Sequence, residues 1–135
     1  MAKVTWENPA GSTPPQGLYS HAGVIRSGTP VFLAGQVAVG QAGEVVGKGD
    51  FDAQFECVFK NIGDVLRGLG GDWSSIVKFT TYLVHSQDIE RFMAQRQRLF
   101  PELFGKQPYP PNTLLVIDRL VKEEFLLEVE VVAAI

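Results

Sequence analysis

The chain is poor in the residues that build metal, redox and phosphate sites. Its 135 residues include one cysteine, Cys57, and two histidines, His21 and His85. A single cysteine excludes an intramolecular disulfide. A metal site needs several convergent His, Cys, Asp or Glu ligands, and the two histidines stand at no ligand-like spacing, so no metal is expected. Cys57 falls inside a predicted helix with no electropositive setting to lower its pKa, and reads as structural rather than nucleophilic. Twelve Lys and Arg are scattered among fifteen Asp and Glu, giving a net charge of −3. Phosphate backbones are gripped by clustered cations, so nucleic acid is not an expected partner. No apolar run reaches the roughly 18 residues that span a bilayer, and the N-terminus has no apolar signal core. The expectation is a cytoplasmic protein with no membrane partner. Walker A, dinucleotide-binding and Gly-x-Ser-x-Gly patterns are missing too. Gly68-Leu69-Gly70-Gly71 is better explained as a helix end than as a phosphate loop. No cofactor is expected.

What is present is an ordinary globular composition, 45% hydrophobic, at a length that suits one domain over residues 1–135. Residues 8–17, rich in Pro, Gly and Ser, read as an extended loop. His21–Arg26 and Pro30–Ala34, joined by Ser27-Gly28-Thr29, carry a hairpin signal. Gly40–Glu44 is a turn leading into a short Val45-Val46 strand. Apolar residues at spacings of three and four predict a helix over 51–69, with Asp50 as N-cap and Gly70-Gly71 as its stop. A β-branched and aromatic strand is predicted over 75–84. A second helix follows, with Ile89, Phe92, Met93, Arg96, Leu99, Phe100, Leu103 and Phe104 on one face and Asp88 or Ser86 as its cap. Strands over 110–118 and 126–132 close the chain. The order β-β-β-α-β-α-β-β is α+β, a mixed sheet of about five or six strands with two helices on one face.

The last strand poses the functional question. Leu127, Val129 and Val131 point to one face, and Leu126, Glu128, Glu130 and Val132 to the other. The two carboxylates sit roughly 6.5–7 Å apart on a shared face. In the preceding strand Leu114, Val116 and Asp118 alternate with Thr113, Leu115 and Ile117. Both sheet faces are therefore substantially apolar, and no helix is left to cover the second. Such a face marks an interface, so an oligomer joined through the helix-free faces is expected. A glutamate in an apolar interface has its pKa raised by desolvation and can exchange protons and orient a water. The alternatives for Glu128 and Glu130 are an interface salt bridge or a solvated sheet edge.

Several motifs, in order and spacing, resemble the Rid/YjgF family of reactive intermediate deaminases, formerly labelled endoribonuclease L-PSP. Gly17-Leu18-Tyr19-Ser20-His21-Ala22 is similar to the family's Gly-Pro-Tyr-Ser-Gln/His-Ala, and Ala34-Gly35-Gln36 to its Ser-Gly-Gln turn. Phe55–Gly70 resembles its first helix, Val77–Val84 its central strand, and Pro110–Leu120 and Leu127–Ala133 its final strands. The resemblance implies a chorismate-mutase-like fold and a homotrimer with a central barrel. It also implies three small-molecule clefts between subunits and cofactor-free hydrolysis of enamines and imines to a 2-oxo acid and ammonia. By residue, it implies Glu128 as the water-orienting catalytic group and Tyr19 as the side chain closing the cleft. Gly35 would contact the ligand through its backbone, and Leu114, in place of a cysteine, through its carbonyl. Asn112 stands where active members carry an arginine that grips the substrate carboxylate. A neutral amide lacks the charge and the fork of a guanidinium, so efficient hydrolysis of 2-aminoacrylate is not expected. Arg119, Lys122 and Lys106 are weak candidates for replacing it. The alternative reading is a non-catalytic trimer that binds a metabolite or a partner. The acidic charge disfavours a ribonuclease.

Overall fold

The structure is a computed structural model that describes residues 2–135. Six strands and two long helices follow one another as β1 (Lys3–Glu7), β2 (Ala22–Ser27), β3 (Pro30–Gln36), α1 (Phe51–Gly68), β4 (Ile76–Leu83), α2 (Asp88–Phe104), β5 (Asn112–Val116) and β6 (Leu127–Ala134), with a short 3-10 turn at Trp73–Ser75. The strands divide into an antiparallel β1-β2 ribbon and a four-stranded mixed sheet of order β3-β6-β4-β5. In that sheet β6 runs antiparallel to both β3 and β4, and β5 runs parallel to β4.

The expected hairpin between β2 and β3 does not form. β2 pairs instead with β1, a strand that the sequence reading passed over, while β3 pairs with the C-terminal strand. The Ser27-Gly28-Thr29 turn carries the chain from ribbon to sheet. Gly28 adopts φ +109° there, and Thr29 exchanges two backbone hydrogen bonds with Ile135 at 2.7 and 2.9 Å. Trp6 Nε1 ties the ribbon to β4 by donating to the Ile76 carbonyl at 2.8 Å. The Val45-Val46 strand is reduced to a single bridge between Val39 and Val45.

The α1 boundaries follow their local chemistry. Asp50 caps the first turn by accepting from the Ala53 N–H at 3.1 Å. At the far end Gly70 takes φ +86°, and the N–H groups of Gly70 and Gly71 return to the Arg67 and Leu66 carbonyls. These two bonds make a Schellman stop. Helix α2 starts without a side-chain cap: Gln87 is its N-cap residue, and neither Asp88 nor Ser86 supplies the expected bond.

The apolar faces of α1 and α2 close over one side of the sheet. Phe55, Phe59, Phe92 and Phe100 meet Phe79, Leu83, Leu127, Val129 and Val131 in a single buried cluster. Met93, predicted on the packed face of α2, is exposed instead. Leu126 lies before β6 and packs on this core rather than on the opposite face. Its N–H donates to Gln54 Oε1 at 2.8 Å, and Gln54 Nε2 donates to the Gly47 and Glu124 carbonyls. That buried amide fastens the β6 entry to α1 with its hydrogen-bonding capacity used, as a buried polar side chain requires.

Candidate functional site

Two groups of predicted site residues emerge, at different places on the sheet. The first is centred on β6. Strand alternation turns Glu128 and Glu130 away from the helices, Glu128 half-buried and Glu130 exposed. Their cross-strand partners are Tyr82 and Thr80. The Tyr82 hydroxyl donates to Glu130 Oε1 at 2.9 Å, and this bond to a carboxylate is the main cause of a raised Tyr82 pKa.

A bulge in β3 brings Gly35 to Glu128. Leu33 pairs with Val131 and Gln36 with Val129, so Ala34 and Gly35 together oppose Glu130. Bulges of this kind bend a strand and re-aim what lies beside it. Here the Glu128 carboxylate is laid across the Gly35 backbone, in the space a side chain would take: a Cβ on Gly35 would collide with Glu128 Oε2. Burial raises the Glu128 pKa above the usual carboxylate range, and the nearby Glu130 charge adds to the rise. The group is thus a carboxyl with a weakened preference for the charged form, in contact with backbone and open on one side.

The second group lies at the start of β5. A cleft of about 330 Å³ opens between the Tyr19–His21 segment and the β4-β5 pair, with Tyr19, Ser20, Lys78, Asn112 and Thr113 among its walls. Close backbone approach shapes it: a Cβ on Gly23 would strike the Val77 carbonyl. The Tyr19 hydroxyl accepts from the Gln16 N–H at 3.0 Å, which leaves its own proton to donate. Asn112 Oδ1 accepts from the buried Thr81 hydroxyl at 2.8 Å, so the free end of the amide is its NH₂. Leu114, two residues along β5, is half-buried and packs against the helical core. Neither Gly35 nor Glu128 lines this cleft. The structure therefore brings Tyr19 to Asn112 and Gly35 to Glu128, without joining the two pairs within one chain.

The three cations weighed as partners for a substrate carboxylate, Arg119, Lys122 and Lys106, are elsewhere. Arg119 is occupied beyond the end of β5, donating to the Leu120 carbonyl at 3.0 Å and pairing with Glu123 at 3.4 Å. Lys122 shares a separate hollow with Arg119, and Lys106 sits between α2 and β5, outside the cleft walls. Three polar residues at or behind the cleft escaped the sequence reading. Lys78 lines the cleft. Ser20, 1% exposed, has a buried hydroxyl with no hydrogen-bond partner among the described residues. Arg96 is 4% exposed behind the Gly17 backbone, with its guanidinium over the Phe92 and Phe100 rings. A cation on the apolar stripe of α2 was the available signal for Arg96. Nothing in the local pattern distinguishes Ser20 from other loop serines.

Among the described residues no group of three His, Cys, Asp or Glu side chains is placed to hold a metal, and no helix is long and apolar enough to cross a membrane. Cys57 is half-buried on α1, with its thiol toward the Val39 carbonyl and its pKa raised chiefly by burial.

Comparison with known proteins identifies the family. The endoribonuclease L-PSP family model matches residues 10–135. A RutC family protein of Pyrococcus abyssi is 35% identical over 120 residues, covering 88% of this chain and 87% of its own. Reactive Intermediate Deaminase A of Arabidopsis thaliana is 35% identical over 86 residues, 63% of this chain and 44% of its own. The crystal structure of the Rid protein YyfB from Yersinia pestis superposes with a TM-score of 0.85 at 30% identity, covering 98% of this chain and 99% of that one. The chain belongs to the Rid/YjgF family, the family also described as endoribonuclease L-PSP.

Proposed function

We propose that this protein works as a homotrimer whose helix-free sheet faces form a central barrel, with a hydrolytic small-molecule cleft at each subunit boundary. The observation that carries this reading is the separation of the two groups. Tyr19 and Asn112 belong to the β5 edge of the sheet, while Gly35 and Glu128 belong to its β3-β6 side. A head-to-tail ring sets one edge of a subunit against the other edge of the next, and closes each cleft from both halves. Phe32, 78% exposed on the helix-free face, supplies apolar surface for such a contact.

In this cleft Glu128 takes a proton from water as the water oxygen attacks the carbon of a C=N bond. That proton is returned to nitrogen, and the C–N bond of the resulting carbinolamine breaks as its hydroxyl proton passes to the departing nitrogen, leaving a carbonyl compound and ammonia. An enamine enters the same path after protonation at carbon. A carboxyl whose pKa is raised is suited to both taking and returning the proton. The name of the Arabidopsis relative is in keeping with this chemistry. Asn112 makes the preferred substrate something other than 2-aminoacrylate, because no guanidinium fork grips a carboxylate there.

The test couples purified protein to a pyridoxal-phosphate enzyme that releases 2-aminoacrylate, and separately to an open-chain, N-unsubstituted ketimine without a carboxylate. Product and ammonia are followed in each. Faster hydrolysis of the uncharged imine, lost in Glu128→Ala, supports the proposal. The replacement of arginine by Asn112 also favours a second reading, a trimer that binds a metabolite without turning it over. Thermal stabilisation by a metabolite with no rate effect on either substrate supports that one.

A further inference from the structure

Arg96 is a buried cation without an anion. It stands on the inner stripe of α2, 4% exposed, and enters no ion pair among the described residues. Its guanidinium lies over the Phe92 and Phe100 rings at 5.6 and 5.9 Å, and Nη2 donates to Met93 Sδ at 3.0 Å. Burying a charge with no opposite charge beside it costs stability. What the guanidinium touches instead is the turn that carries Tyr19. A Cβ on Gly17 would come within 3.0 Å of Arg96 Nη2, so the edge of the guanidinium lies directly against that backbone. Tyr19 is also the ionisable side chain that acts on its charge. The turn is closed on itself: the Gln16 N–H donates to the Tyr19 hydroxyl at 3.0 Å, and the Tyr19 N–H to the Gly17 carbonyl at 2.9 Å. Residues 8–21 form no helix or strand, and Leu18 is the apolar side chain of the turn that reaches the core. Tyr19 lies on the cleft wall, and Arg96 does not.

We propose that Arg96 is a positioning residue for Tyr19: its planar guanidinium, seated on two phenylalanine rings, props the Gln16–Tyr19 turn so that the phenol stays on the cleft wall. The inference rests on the hydrolytic cleft proposed above, and adds to it a residue outside the wall. A guanidinium stacked on aromatic faces holds one orientation, which a flexible apolar side chain does not. That difference separates Arg96 from an ordinary core residue. Replacing a buried charge by an apolar side chain of similar length is neutral or stabilising for the fold. Stability and the placement of Tyr19 therefore come apart at this position. Loss of the planar group leaves the core intact and releases the turn.

The test uses full-length protein with ¹³C-labelled tyrosine rings, and Tyr19→Phe assigns the Tyr19 signal among the three tyrosines. Arg96→Met should melt at or above the parent temperature. Its Tyr19 signal should move towards the value in a short peptide, and hydrogen exchange at residues 17–21 should quicken about tenfold. On the ketimine without a carboxylate, KM should rise about tenfold while kcat changes less. In a Tyr19→Ala background Arg96→Met should have no further effect on turnover. Arg96→Lys keeps the charge without the plane, and should fall between Arg96→Met and the parent in exchange and in KM. An unchanged Tyr19 signal and unchanged exchange in Arg96→Met overturn the proposal. So does a lower melting temperature or failure to fold in Arg96→Met, since the residue would then serve the core. Effects of Arg96→Met that persist undiminished in Tyr19→Ala overturn it as well. Where the ketimine is not hydrolysed, the hydrolytic reading fails, and the Tyr19 signal and the exchange still decide for or against Arg96. Turnover lost in Glu128→Ala but untouched in Arg96→Met leaves that reading standing and removes this inference.

Discussion

The two faces of the four-stranded sheet obey different rules. Under the helices, Phe79, Leu83, Val129 and Val131 are buried among the phenylalanines of α1 and α2. On the other face the same strands present Lys78, Thr80, Tyr82, Glu128 and Glu130, beside an exposed Phe32. One face is settled by packing within the chain. The other mixes charge with uncovered apolar surface, and its carboxyl is held against backbone at an unusual proton affinity. A face of that kind suits contact and chemistry more than stability.

Truncation should break this comparison most sharply in the core. Phe79→Ala removes a ring that packs against Phe59 and Phe100, at centroid distances of 5.8 and 5.7 Å. It should cost about 3–5 kcal/mol, read by denaturant unfolding. Phe32→Ser on the opposite face should leave the stability of the subunit nearly unchanged and reduce the assembled mass in sedimentation. A large loss of subunit stability from Phe32→Ser would mean that the two faces are not distinct in kind.

Next in size is Gly35→Ala. Its methyl group must displace the Glu128 carboxylate, a flexible group, so the fold should survive while hydrolysis falls about tenfold or more. Activity assays beside a thermal melt check both halves of that expectation.

A smaller effect sharpens the electrostatic half of the comparison. The folded-state pKa of Glu128 lies above its ordinary value of 4.5. Its contribution is therefore most favourable below that value, and is lost as the pH rises through the raised one, because the folded subunit then holds an ionised carboxylate it solvates poorly. Glu128→Gln should be at least as stable as the parent near pH 7, with the difference vanishing near pH 4, in melts at the two conditions. Smallest is Asp50→Ala, the cap of α1, at about 1 kcal/mol and with no effect on the cleft.

Most of the helix-side face was legible in the sequence, because period and capping are local signals. The 51–69 periodicity, Asp50 and Gly70-Gly71 predict a helix that the structure ends within a residue of its expected limit. The β6 alternation separates Val129 from Glu128 correctly. Strand partners were less legible. The Ser27-Gly28-Thr29 turn looks like a hairpin loop, yet it serves a crossing between sheets, since β2 finds β1 and β3 finds the distant C-terminus. Pairing is decided by tertiary packing, which no turn sequence encodes alone. The same applies to the candidate site. Gly35 beside Glu128 depends on a bulge, and Asn112 beside Phe79 on parallel β4-β5 pairing. Residues far apart in the chain meet through register, so spacing could nominate Glu128 and Asn112 but not their neighbours.

The central claim is that Glu128 performs hydrolysis in a cleft closed by two subunits, and one measurement reaches it directly. Two inactive variants, Tyr19→Phe with Asn112→Asp and Glu128→Ala, are each purified, then mixed, unfolded and refolded together, and assayed for ammonia release from the uncharged imine. Mixed trimers contain some boundaries that join an intact Tyr19–Asn112 half to an intact Glu128 half, so activity should return to a fraction of the parent rate. Equal inactivity of the mixture and the separate variants, with mixed assembly verified by mass, would contradict the claim.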